Sequence, residues 1–465
     1  MILLLALIVQ YRHQKHNQHQ EISRSIVLKK ILPEPISFAD VVHQTISFDP
    51  NISEQKLVLD LIETPFAQRL RDISQSVNTK LVYMFYEHSR FGHSLGTAYL
   101  ACQLLTKLEQ NNPKEIIPYK EAVAAAAILH DIGHLAPGSH LAFKIWFPHL
   151  PDQHEHLASK IIMQDPCINQ LLRKRSHNLP QMVSDILLGK PSTPLWCRQL
   201  ISGGGWNVDR GNWCIVDSIM AGVSYGHYNI PALTGSIQLT KGGSLALREN
   251  RLDAMVHFAV SRHAMYRQIY QHRVLLSADL LYTLLIKRIR ELIGDRSKKR
   301  KNKIKILADE TMQSALKARK LNDLNLDNIY AMRESWFRYH LNCWQKSDDP
   351  IVSDLADRII NRRLFKTIKV NSDYELKKIS TMAERELKNR NLDPRYYQSV
   401  ISTKTVHASE RKQSIKLLDN SGKLLNFEEK AAIFRALTDD SRNLSEVNRW
   451  LAVPSEIKQL LESKK

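Results

Sequence analysis

Ala122-Val-Ala-Ala-Ala-Ala-Ile-Leu-His130-Asp131-Ile-Gly-His134 is the stretch that decides how the chain is read. Alanine and leucine are strong helix formers, so a helix is expected to run up to His130, with Gly133 breaking it. An adjacent imidazole and carboxylate at a helix end are poor core filler. A charged aspartate placed there has to be paired or bind a metal. The dipeptide alone fits a buried ion pair equally well, so its neighbours decide the reading.

Upstream, Ser89-Arg90-Phe91-Gly92-His93-Ser94-Leu95-Gly96 opens an amphipathic helix. Its apolar side recurs three to four residues apart, at Leu95, Tyr99, Cys102, Leu105 and Leu108. Downstream, Asn207-Val208-Asp209-Arg210 opens another helix. His93, His130, Asp131 and Asp209 therefore come from the ends of three helices. Two imidazoles and two carboxylates suit a divalent ion of intermediate hardness: Mn, Fe, Ni, Zn or Mg. Four protein ligands leave an octahedral ion room for water and a phosphate oxygen. An ion so placed lowers the pKa of water and polarises phosphorus.

The chain has 465 residues, enough for a large core and two or three domains. Its formal net charge of +19 favours anionic partners: phosphates, nucleotides or nucleic acid. Five scattered cysteines with no CxxC pair argue against a thiolate zinc site and a disulfide framework, and fit a reducing, cytoplasmic setting. The apolar run Met1–Val9 stops at Gln10, short of the about 20 residues that span a bilayer. Residues 1–35 read as a disordered or mis-started leader rather than a membrane anchor, and no stable membrane association is expected.

The pattern is mainly α. From about Phe38 to Val370 it is helical, with Pro- and Gly-containing loops. A core is expected over 36–290 and a helical extension over 291–400, the latter with a basic loop at Arg296–Lys303. That loop reads as solvated surface or, second, as a nucleic-acid contact. Residues 401–465 form a small α+β element, with a β-hairpin turning at Asp419-Asn-Ser-Gly422. The hairpin and the basic segments are interface or simply surface.

The order H…HD…D, with Arg90-Phe-Gly-His-Ser-Leu-Gly96 and His130-Asp-Ile-Gly-His134, resembles the HD-domain phosphohydrolases. Within them it is similar to the dNTP triphosphohydrolases, the dGTPases and especially enzymes like the mammalian SAM- and HD-domain protein. Thr64-Pro-Phe-Ala-Gln-Arg-Leu-Arg71 looks like the family's TPxFQRLR, and Ile269-Tyr-Gln-His-Arg-Val274 like its AYQHKV. The likeness runs from about Asp40 to Lys366. It implies an HD-domain helical bundle with added C-terminal helices, a divalent metal held by His93, His130, Asp131 and Asp209, and release of inorganic triphosphate from a dNTP.

Carried over residue by residue, the resemblance implies that His134 faces the α-phosphate. His154 and Glu155 would form a dyad that protonates the departing 5′-oxygen. Arg90, His140, Arg210 and Arg262 would contact phosphate, for which forked guanidinium donors suit. Gln75 and Asp217 would contact the 3′-hydroxyl, Tyr270 would pack on the sugar, and Trp213 and Gln271 would complete the substrate site. Asp209, Trp213 and Asp217 are spaced i, i+4, i+8, one helix face. A nucleotide effector and a homo-oligomer also follow from the family.

Several positions depart from the pattern: Gly92 for Glu, Ser76 for a leucine that blocks a 2′-hydroxyl, Asn207 for Asp, Trp213 for a tyrosine and Val216 for an arginine. One residue is inserted between His134 and His140. None is a metal ligand, so the departures bear on substrate choice. Two other functions compete: an HD phosphomonoesterase or phosphodiesterase on other nucleotides, and a nucleotide- or nucleic-acid-binding module with little turnover.

Overall fold

A computed structural model describes residues 33–138, 141–294, 307–403, 414–434 and 448–463. The leader to residue 32, His140 and the basic run at 296–303 lie outside these residues. The chain is mainly α, as its pattern predicts.

A short antiparallel hairpin, β1 (Ile36–Asp40) and β2 (Gln44–Phe48), precedes the helices. The sequence reading missed it. Its inward residues Ile46 and Phe48 are buried, Phe48 edge-on to Tyr99. Helix α1 (Ser53–Ile62) leads to α2 (Arg90–Asn111), α3 (Lys120–Leu129) and α4 (His154–Gln164). Helices α5 (Leu179–Leu187) and α6 (Val208–Met220) follow.

The centre of the bundle is α3. Every residue from Ala122 to Leu129 is buried, and α1, α2 and α5 pack around it. Its alanines allow that close approach on several sides at little side-chain entropy cost. The helix ends at Leu129, and His130–His134 form the turn that follows. Gly133 has a second reason beyond stopping a helix. A Cβ there would lie 2.0 Å from the His154 carbonyl oxygen and 2.5 Å from the Ala158 nitrogen. Glycine lets the first turn of α4 sit directly on the His130–His134 turn.

Past the bundle, β3 (Ile237–Leu239) and β4 (Leu245–Arg248) pair antiparallel, and α7 (Leu252–Met265) runs into a π-helical turn at Tyr266–Tyr270. Helix α8 (Arg273–Gly294) continues across residue 290, then come α9 (Glu334–Trp344), whose Phe337 ring stacks on Tyr282 of α8, and α10 (Pro350–Ile360), which packs against both α8 and α9. Strand β5 (Lys366–Val370) is followed by β6 (Ser399–Ser402), β7 (Lys416–Leu418), β8 (Leu424–Leu425) and β9 (Arg449–Val453).

The hairpin expected near residue 420 is β7–β8, with Gly422 at a φ of +84° in its turn. It does not stand apart. Strand β7 pairs in parallel with β4, and β9 lies between β5 and β6. Both small sheets thus join the end of the chain to earlier elements. Among the described residues, no helix is long and apolar enough to cross a membrane.

Candidate metal and phosphate site

Three elements bring the expected ligands close, with His93, His130 and Asp209 in one group and Asp131 beside it. His93 sits one turn into α2, His130 and Asp131 follow α3, and Asp209 lies in the first turn of α6. His93 Nε2 is 3.0 Å from Asp209 Oδ1 and 3.2 Å from His130 Nε2. His130 Nε2 is 3.6 Å from the same Asp209 oxygen and 3.5 Å from Asp131 Oδ1. Asp131 Oδ2 is 3.9 Å from His93 Nε2.

The other ring nitrogens fix the tautomers. His130 Nδ1 donates to the Ala127 carbonyl at 2.8 Å, and His93 Nδ1 donates to Asn212 Oδ1 at 2.8 Å. Both neutral imidazoles therefore turn an Nε2 lone pair toward the same point, beside a carboxylate. Lone pairs that converge in this way call for a cation between them, and the residues fit a divalent metal. The same carboxylates also favour a proton on His130. Burial opposes the charged His130 ring, but the Asp131 and Asp209 carboxylates outweigh it and raise its pKa to about 9. Burial likewise resists ionisation of Asp209, yet hydrogen bonds from His130 and His93 hold its carboxyl well below the usual range. Metal uptake must displace the shared proton.

Asp131 is also held from outside. Arg90 Nη1 donates to its Oδ2 at 2.7 Å, while Arg90 Nη2 donates to the Gln75 carbonyl at 3.3 Å. Against the cost of burial, Arg90 and then His130 keep Asp131 ionised, well below its normal pKa. His134 Nε2 lies 3.2 Å from Asp131 Oδ1. Burial, with the Arg90 and His154 charges, drives His134 down to about 3, so it is a neutral hydrogen-bonding ring. The His134 and His154 rings stack with centroids 4.1 Å apart, the contact that Gly133 allows. Asp131, His134 and His154 form a second group of potential ligands adjoining the first.

The sequence pairs His154 with Glu155. In the structure His154 Nδ1 is 2.9 Å from Asp152 Oδ1, while Glu155 Oε1 is 3.5 Å from Nε2. Burial disfavours the charged ring, but Asp152 and Glu155 together raise its pKa. Asp152 escaped notice because it precedes the helix by two residues. Its signal was the Asp-x-His spacing, which lets a carboxylate reach back to Nδ1.

The remaining expected residues surround this centre unevenly. Arg210 Nη1 donates to the carbonyls of Gly203 and Gly205, at 3.3 and 3.1 Å, in the glycine loop before α6. Asn207, where the family has Asp, caps α6 by accepting from the Arg210 amide at 2.8 Å. Arg262 is buried with its guanidinium over the Tyr266 ring. Trp213 and Tyr270 meet edge to face at 5.6 Å, and Gln271 follows them at the end of the π-helical turn. Tyr270 OH donates to Asp217 Oδ2, and Gln75 is buried beside the Arg90 tether. His140 lies outside the described residues.

Two positioning residues were missed. Asn212 orients His93, and α6 can bring it there because residue 96 is glycine; a Cβ would lie 2.3 Å from Asn212 Nδ2. Arg69, fully buried, donates to the carbonyls of Ile132 (3.3 Å), His134 (2.8 Å) and Met332 (3.0 Å). On the other side of the same loop, buried Glu334 accepts from the Gly138 amide.

The family model for the HD domain matches residues 90–165, the span from Arg90 to the end of α4. The chain is 29% identical over 420 residues to the uncharacterized protein YwfO of Bacillus subtilis, covering 88% of this chain and 91% of that one. It is 24% identical over 280 residues to the deoxynucleoside triphosphate triphosphohydrolase SAMHD1 of Danio rerio, covering 53% of this chain and 44% of that protein. Among solved structures, a phosphohydrolase from Bacteroides thetaiotaomicron shares the fold with a TM-score of 0.73 at 20% identity, over 91% of this chain and all of that one (100%). The domain match and these relatives support a hydrolase of the HD class with a divalent metal site.

Proposed function

We propose that this HD-domain protein is a metal-dependent hydrolase that splits a deoxynucleoside triphosphate into deoxynucleoside and inorganic triphosphate. One observation carries the reading: with partners on both Nδ1 atoms, the His93 and His130 Nε2 atoms converge on Asp209 with Asp131 alongside. A pure binding module has no use for such a donor set. The triphosphohydrolase relatives, although they match over less than half their own length, favour a dNTP over other phosphate esters.

In the overall reaction water attacks the α-phosphorus and the Pα–O5′ bond breaks. A divalent ion in the site supplies Lewis acidity and an activated water when bound. Arg210 and Arg262 hold the polyphosphate charge, with Arg90 dividing its donors between Asp131 and the phosphate. Neutral His134, its Nε2 turned to Asp131, lines the phosphoryl group without adding charge. His154, whose protonated form Asp152 and Glu155 favour, delivers the proton that the leaving 5′-oxygen needs. Gln75, Asp217 and Tyr270 recognise the sugar, with Trp213 and Gln271 against them.

The test is metal analysis of the purified protein, followed by incubation with each dNTP and NTP and chromatography of the products. Nucleoside with tripolyphosphate is expected. Nucleoside with orthophosphate, or no turnover with metal present, refutes the proposal.

A further inference from the structure

Around Asp217 the structure holds a polar group that the proposed reaction does not use. His88 lies in the turn before α2, and its Nε2 is 2.9 Å from Asp217 Oδ1. The Tyr270 hydroxyl donates to the other oxygen, Oδ2. Each carboxylate oxygen has two lone pairs, so a donor on each fixes the plane of the group and leaves it acceptor capacity. The three side chains come from three separate elements: the turn before α2, the middle of α6, and the π-helical turn.

His88 is set in place by more than this bond. The Tyr86 ring meets it edge-on, with centroids 4.5 Å apart. The His88 carbonyl accepts from the Gln75 amide at 3.1 Å. Gln75 and His88 are thus joined through the backbone, while His88 and Asp217 are joined through side chains. Within this buried cluster, Gln75 Oε1 has no hydrogen-bond partner. A buried acceptor without a donor is costly, so Gln75 is left to take a donor from a ligand. The carboxylate held by His88 and Tyr270 is likewise open to a ligand hydroxyl.

We propose that His88 is a positioning residue for sugar recognition: its imidazole orients Asp217 so that the carboxylate accepts the proton of the substrate's 3′-hydroxyl. This rests on the dNTP reading above, and the experiment separates the two. kcat and KM are measured for a dNTP and for its 2′,3′-dideoxy analogue, with wild-type protein, His88→Ala and His88→Gln. The Gln amide nitrogen can replace Nε2 as the donor to Asp217.

Wild-type protein is expected to prefer the dNTP. His88→Ala is expected to cut that preference about tenfold, the worth of one hydrogen bond to a charged group. His88→Gln is expected to restore most of it. Equal loss on both substrates in His88→Ala means a merely structural role and overturns the inference, as does a preference left unchanged. Should His88→Ala not fold, a His88→Gln preference that collapses also overturns it. Wild-type protein that releases tripolyphosphate without any preference for a 3′-hydroxyl sinks this inference alone. Wild-type protein that releases none sinks the dNTP reading, and this inference with it.

Discussion

Arg69→Met tests whether the turn carrying His134 is held from behind. The arginine is fully buried, and its hydrogen bonds run to the carbonyls of Ile132, His134 and Met332. Burial, and then the nearby Arg333 charge, pull its pKa from 12.5 down to about 9, so it remains a cation at neutral pH. Three hydrogen bonds from a charged donor contribute roughly 5–9 kcal/mol in total. Removing the cation gives back about 5 kcal/mol of burial cost at roughly 1.4 kcal/mol per pKa unit. The net expectation is a modest destabilisation of about 2 kcal/mol. The functional effect should be larger, because two of the three freed carbonyls belong to the turn between Asp131 and His134. Urea unfolding gives the first quantity, and turnover of the folded fraction at saturating dNTP gives the second. We expect kcat to fall at least about tenfold, since a misplacement of about 1 Å can cost more than that. A variant with wild-type kcat would show that the clamp does not set the geometry of the site, whatever its stability.

Other perturbations address separate parts of the site. Asp209→Ala removes the carboxylate on which both imidazoles converge; bound metal and tripolyphosphate release should both be lost while the circular dichroism spectrum is kept, and retained metal would contradict the ligand assignment. Asp152→Asn removes the carboxylate that hydrogen-bonds His154 Nδ1 and helps hold its proton, so the His154 pKa falls. As an acid, His154 works only below its pKa, so the alkaline limb of the kcat/KM profile should move to lower pH; a limb that stays put denies His154 the role. Gly96→Ala places a Cβ 2.3 Å from Asn212 Nδ2 and must push Asn212 off His93. Metal affinity should fall about 10- to 100-fold, the usual cost of losing an outer partner of a metal ligand, as read by titration with a metal indicator. Ser76→Leu should raise the ratio of dGTP to GTP turnover, and an unchanged ratio removes Ser76 from sugar selection.

What the sequence made legible follows from how local each signal is. The alanine run before His130 announces a crowded helix, and the structure puts α3 at the centre of the bundle. The turn at Asp419–Gly422 is equally local, and its hairpin is there. The spacing of His93, His130, Asp131 and Asp209 at helix starts and ends limited how they could converge. The distances of 3.0–3.9 Å among them follow from packing around α3. Non-local pairing left no such trace. Nothing near Leu417 says that it will lie in parallel beside Leu247, and Trp450 gives no hint of its place between Lys369 and Ile401. The residues that orient the site were hidden for the same reason. Asn212 and Arg69 read as an ordinary helix amide and a motif arginine until the backbone brings His93 and the His134 turn against them. Gly96 and Gly133 show the physical cause. Each looks like a helix weakness in sequence, yet each is a point where another element approaches too closely for a Cβ: Asn212 on α6 in one case, the first turn of α4 in the other. The first contact sets the helix bearing Asp209 against α2 beside His93, and the second seats the helix bearing His154 on the His130–His134 turn, so the site depends on two missing methyl groups as well as on its expected ligands.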